Sequence, residues 1–96
     1  MYVHKSMSIT FDPAKRAATL ASRGLDMQDA GEVFAGATIT VEDHRADYGE
    51  DRYITIGLLA GRMVVIAWTP RGSDYRIISM RKANAREQEK YGPRLG

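Results

Sequence analysis

Cysteine is absent from all 96 residues, which excludes a disulfide framework and any thiolate metal site and permits a reducing compartment such as the cytoplasm. No apolar run approaches the roughly 18–20 residues that a membrane-spanning helix needs, so no membrane partner is expected. Only two histidines are available for acid–base or ligand chemistry, His4 and His44. The opening MYVHKSM carries a lysine but no apolar stretch behind it, so it does not read as a signal peptide; it is expected to be an extension ahead of a natural start at Met7. Repeats, low-complexity tracts and interdomain linkers are also missing. The expectation is one domain over residues 8–91, with 1–7 as an extension and 92–96 as a tail.

What is present is ordinary in amount and uneven in placement. A hydrophobic fraction of 44% and a charged fraction of 27% suit a folded domain with one modest core. The formal net charge is only +2. Residues 1–61 nevertheless hold six Lys/Arg against nine Asp/Glu, and residues 62–96 hold eight against three. A chain divided in this way can turn a positive face to a polyanion while staying near neutral overall. Charge by itself does not distinguish RNA, DNA or an acidic protein.

Ile9 and Phe11 open an extended stretch. Asp12-Pro13 then predicts a helix start, since Asp caps free amides and Pro at the first position gives up no needed donor. Ala14, Ala17, Ala18 and Ala21 recur at helical spacing, a stripe of small residues that predicts close packing of this helix. Gly24 predicts its end. Asp26 is placed to cap a second helix with Met27, Ala30, Val33 and Phe34 on its apolar face, closed by Gly36. From Ala37 the period changes to two. Thr38-Ile39-Thr40-Val41 reads as a strand, residues 42–51 as a polar loop, and 52–59 and 62–69 as a hairpin about Ala60-Gly61. Val64 to Trp68 is apolar on both parities, as in a central strand covered on both faces. Residues 70–73 predict a turn and 75–80 a further strand. Asn84 with Glu87 makes a capping box opening a last helix to about Tyr91; with almost no apolar stripe, it predicts marginal docking. The order β-α-α-β-β-β-β-α predicts an α+β layer, a mainly antiparallel four- to five-stranded sheet with the helices on one face.

The chain is organised around residues 75–91, YRIISMRKANAREQEKY. A core-type strand, Arg76 to Met80, runs directly into Arg81, Lys82, Arg86 and Lys90, and the turn before it supplies Arg71. Cations tied to a buried strand suggest an anion-binding edge, and RNA phosphate is the anion expected. Strand parity objects to the simplest version, because Arg76 and Arg81 are five apart and a regular strand puts them on opposite faces. Either a bulge re-aims one of them, or Arg81 belongs to the turn, or only one of the two is catalytic.

These segments together resemble the BrnT toxin family of type II toxin–antitoxin systems, from about Ile9 to Tyr91. The matching words are Phe11-Asp12-Pro13-Ala14-Lys15, Gly24-Leu25-Asp26, Phe34, Arg52-Tyr53 with Ile56-Gly57, and Thr69-Pro70-Arg71-Gly72. The longest is Arg76 to Ala83 (RIISMRKA), followed by Arg86-Glu87 and Tyr91. The chain departs from the family at Thr19, Ser22 and Arg23, where Asn and Lys-His are frequent, and at Phe11, where Trp is. The resemblance implies a RelE-like ribonuclease fold and cleavage of mRNA with arrest of growth. It also implies a neutralising BrnA-like antitoxin in a 2:2 complex, with DNA bound only through that antitoxin.

A ribonuclease without a metal needs a base for the 2′-OH, fixed positive charge for the phosphorane and an acid for the 5′-oxygen. Arg71, Arg76 and Arg81 are expected to hold the scissile phosphate, since a guanidinium fork binds two phosphate oxygens. Glu87 is grouped with them, as catalytic residue or as structural cap. Arg52, Lys82, Arg86 and Tyr91 are expected as RNA contacts. His44 is a candidate acid–base group or an exposed bystander, and Trp68 reads as core rather than as a stacking platform. Glu42, Asp43 and His44, being adjacent, do not form a facial ligand set, so no metal or cofactor is expected. The competing reading is a non-catalytic module that holds protein or nucleic acid on the same basic face.

Overall fold

The computed structural model describes residues 8–95; the proposed extension, with His4, lies outside them. Strand β1 (Ile9–Phe11) leads into helix α1 (Pro13–Arg23), a 3₁₀ turn (Met27–Asp29) and helix α2 (Ala30–Ala35). Strands β2 (Thr38–Glu42), β3 (Tyr53–Leu59), β4 (Arg62–Arg71) and β5 (Asp74–Lys82) follow, then helix α3 (Ala85–Leu95). The strands form one sheet in the order β1-β5-β4-β3-β2. It is a mixed sheet: β1 runs parallel to β5, and the other three pairings are antiparallel.

The local signals act as chemistry requires. Asp12 accepts from the Ala14 N–H at 2.8 Å and Pro13 occupies the first helical position. Asp26 caps the 3₁₀ turn through the Gln28 N–H, so the second helix begins as 3₁₀ and becomes α only at Ala30. Ala60 and Gly61 have φ of 50° and 79°, the left-handed pair of a two-residue hairpin turn. The turn after β4 is shorter than expected, because Pro70 and Arg71 still pair with Tyr75 and Asp74.

One sheet face is covered by the helical hairpin. Leu25, Met27, Ala30 and Val33 pack on Val64, Ile66, Ile77 and Met80, with Phe34, Trp68 and Tyr75 beside them. α2 lies so close to β3 that a Cβ on Gly57 would come within 2.6 Å of Val33 Cγ1. Trp68 is core, as expected: its Nε1 donates to Thr55 Oγ1 at 2.8 Å and its ring meets Phe34, Tyr53 and Tyr75.

Three expectations are corrected. The helices are not all on one face: α3 lies on the other, where Ala83 and Leu95 pack with Ile56, Met63 and Val65, flanked by Ile39, Ile54 and Tyr91. α3 does not stop at Tyr91 and residues 92–95 are no tail; burial of Leu95 holds a further turn despite Pro93. The alanine stripe of α1 does not face the sheet. Ala14, Ala17, Ala18 and Ala21 are exposed, and so is Leu20 at 47%. The inner side of α1 is instead polar and bonded: Thr19 is buried, Arg16 chelates Asp26 at 2.7 and 2.9 Å, and Arg23 donates to the Met80 carbonyl. Alanines bring little area to bury, so hydrogen bonds decide the helix's rotation.

Candidate nucleic-acid interface

The parity problem in β5 is resolved by a bulge. Ala67 pairs with Ser79 but Trp68 pairs with Ile77, so Ile78 is an extra residue on β5 with no partner in β4. Arg76 therefore stands opposite Thr69 and Arg81 opposite Val65. Thr69 and Val65 are four apart on β4 and share a face, and so do their partners. Arg71, two residues beyond Thr69, joins the same face, which is the one that carries α3. Of the alternatives, the bulge is the one the strand adopts.

At the far end of β5 the capping box forms. The Asn84 N–H donates to Glu87 Oε1 at 2.9 Å and the Glu87 N–H donates to Asn84 Oδ1 at 2.8 Å. The same carboxylate accepts both terminal nitrogens of Arg81, each at 2.8 Å. One glutamate thus starts α3 and fastens it to β5. Arg81's hydrogen bonds, chiefly, hold the Glu87 carboxyl down at about 2 against the effect of burial. Arg81 is raised above its ordinary value first by Glu87, while the nearby Arg45 cation acts in the opposite sense.

Between α3 and the sheet lies a cleft of about 300 Å³. Its floor is Val41, Ile54, Ile56 and Val65, and its rim carries Arg81, Arg86, Glu87, Lys90 and Tyr91. Arg86 and Lys90, like Glu87 and Tyr91, are one helical turn apart and project from the same side of α3. The Lys90 ammonium sits 5.1 Å from the Tyr91 ring centroid.

The remaining expected residues lie elsewhere. Arg52 and Arg71 meet on Glu50, at 3.2 and 3.4 Å, and Arg52 also covers the Tyr48 ring at 3.9 Å. Arg76 is half-buried in β5, on the shared face between this group and Arg81. Lys82, next after Arg81, pairs with Val64 and by register faces the opposite side; it lines a separate hollow with Arg62 and Gln88. His44 is 80% exposed, 2.8 Å from Glu42, and lies on the β2–β3 loop rather than in the cleft. The expected cations are therefore spread along one face rather than gathered in a single pocket, with Lys82 outside the row.

Lys90, one of the cations expected at this edge, joins the rim. Two participants escaped the sequence. Glu50 ties two arginines together across 21 residues, which nothing local announces. Asp43 is buried and anchors the β2–β3 loop, taking Arg45 Nε and a terminal nitrogen at 2.8 Å each; the Arg45 bonds foremost lower its carboxyl to about 2. Among the described residues no three His, Asp or Glu side chains converge as metal ligands, and no helix is long and apolar enough to cross a membrane.

The family model described as "Ribonuclease toxin, BrnT, of type II toxin-antitoxin system" matches residues 11–87. No curated protein matches the chain. The matched span runs from the aromatic before the first helix cap to the glutamate that holds Arg81, and so includes most of the row of cations. The chain belongs to the BrnT family of ribonuclease toxins of type II toxin–antitoxin systems.

Proposed function

We propose that the protein is an endoribonuclease that cleaves mRNA without a metal ion, arrests growth, and is neutralised in the cytoplasm by a cognate BrnA-like antitoxin in a 2:2 complex. The observation that carries this is the placement of Arg81 in a cleft beside Arg86 and Lys90, with Arg76 and Arg71 further along the same face. The helical hairpin behind the sheet and the basic face in front suit the RelE-like arrangement that the resemblance implies.

In the proposed reaction the 2′-oxygen bonds to phosphorus and its proton passes to a base. The bond to the 5′-oxygen then breaks, and that oxygen takes up a proton. Charge grows on the equatorial oxygens, where a fixed guanidinium stabilises it without reorganisation. Arg81 fills this role, with Arg76 and Arg71 as further phosphate contacts and Arg52, Arg86 and Tyr91 along the RNA path. Lys82 reaches the RNA only where the strand runs past the cleft. Glu87, ionised and held near 2, is a poor proton acceptor at neutral pH. Its part is to aim Arg81.

Induced expression in a bacterium tests the reading. The wild-type chain should stop growth, co-expression of the antitoxin from the same operon should restore it, and Arg71→Ala/Arg81→Ala should be harmless at equal protein level. Undiminished toxicity of that double variant discards the phosphate assignment.

A further inference from the structure

The floor of the α3 cleft is poorly matched to phosphate. Val41, Ile54, Ile56 and Val65 offer no hydrogen bond, and an anion laid on them would lose its hydration without replacement. Register puts them on one face in a contiguous patch, Val41 beside Ile54 and Ile56 beside Val65. Val41 remains 47% exposed and Ile54 is half-buried, while Ile56 and Val65, at 3% and 6%, lie covered beneath α3, so the patch is open at its Val41–Ile54 end. The cations stand only around it. An apolar floor with a cationic rim suits a flat π-system attached to a phosphodiester. The cleft's roughly 300 Å³ lies at the small end of ligand pockets, the scale of one nucleotide.

We infer that this cleft is a nucleobase pocket: single-stranded RNA places one unstacked base on Val41 and Ile54, the open end of the floor, against Tyr91, while the flanking phosphates lie on Arg81, Arg86 and Lys90. This rests on the ribonuclease reading and adds to it a substrate form. A duplex keeps its bases stacked and paired, and its deep major groove keeps them from side chains, so it cannot fill the cleft. The floor reads area and shape rather than base edges, because its aliphatic side chains carry no donor or acceptor and the rim carboxylate, Glu87, is already taken by Arg81 and Asn84. From Arg76 to Arg81 the paired strand β4 advances four residues, roughly 13 Å at about 3.3 Å each, so the two guanidiniums meet different phosphates of one extended strand.

The test is binding of a fluorescein-labelled 8-mer with 2′-fluoro sugars, which cannot be cleaved, followed by anisotropy with the full chain. Expected are a 5- to 100-fold loss of affinity, roughly the range of one base stacked on a side-chain platform, when an abasic site occupies one register. A similar loss is expected for Val41→Asn, which leaves the charge unchanged at an exposed position. The two losses should not add, since they remove one contact, and the duplex should bind at least tenfold more weakly. Affinity indifferent to abasic sites at every register and to Val41→Asn, yet lost in Arg81→Ala, overturns the base pocket and leaves the phosphate reading standing. Failure to bind the 8-mer, together with no cleavage of the all-ribose strand, overturns both.

Discussion

Arg76 and Arg81 face the same side of the sheet although they are five residues apart, because the unpaired Ile78 between them shifts the register against β4 by one. Ile77 and Met80 are brought together on the opposite face by the same shift, and both are buried in the core beneath the helical hairpin. The bulge thus serves the core and the proposed site at once.

Removing the bulge should be tolerated where removing any regular strand residue is not. Deleting Ile78 leaves strict alternation, with Arg76, Ser79 and Arg81 on one face and Ile77 and Met80 on the other. The protein should fold, keep RNA cleavage within about tenfold, and lose roughly 1 kcal/mol with the half-buried Ile78 side chain. Deleting Val65 reverses every residue on one side of the cut and should give no cooperative unfolding transition. Thermal melts of the two deletions make the comparison.

Glu50 restrains two of the candidate arginines, Arg52 and Arg71. Glu50→Gln should release them toward phosphate. RNA affinity should rise a few-fold and the slope of log affinity against log salt should steepen by up to about 1, as one more phosphate is neutralised. Stability should change by less than about 1 kcal/mol, the usual worth of a partly exposed pair. A salt titration of binding, with a melt as control, checks both.

The buried hydroxyl of Thr55 serves Trp68 Nε1 and Thr40 Oγ1, each at 2.8 Å. Thr55→Val keeps the shape and orphans the indole N–H, at a cost of about 1–3 kcal/mol. In a domain this size each kcal/mol lowers the midpoint by about 4–8 °C. Calorimetry should show such a fall with RNA cleavage per folded molecule unchanged.

Much of the fold was legible because its signals are local. The Asp12-Pro13 cap, the Ala60-Gly61 hairpin, the continuous apolar run of β4 and the Asn84–Glu87 box each depend on a few neighbouring residues. What was not legible depends on distant ones. No glycine or proline marks Ile78; the bulge exists because Ile77 and Met80 must both reach a core built by residues 25–33. α3 looked too polar to dock, yet Tyr91, Leu95 and the Arg81 clamp suffice once Ile56, Met63 and Val65 are beneath it. The candidate arginines were readable as a set, and their division between a cleft, a Glu50 group and an outlying Lys82 was not.

The Arg81–Glu87 clamp makes stability fall in acid. Glu87's carboxyl is depressed in the folded chain from 4.5 to about 2, mainly by Arg81. Its contribution is therefore fully present above about pH 4.5 and is lost as pH falls toward 2. Glu87→Gln should flatten the denaturant midpoint over that window relative to wild type, though Asp26 and Asp43, both also held near 2, will keep some slope. Above pH 6 the two proteins' midpoints should run parallel.

The most direct measurement is cleavage of a defined single-stranded RNA by the purified chain in EDTA, comparing wild type with Arg81→Ala and Arg81→Lys at matched folded concentration. Wild type should cut, Arg81→Ala should be slower by about 100- to 1,000-fold, and Arg81→Lys should recover little because an ammonium lacks the planar fork. Equal rates for all three proteins, each with a normal melt, would contradict the assignment of Arg81 to the scissile phosphate.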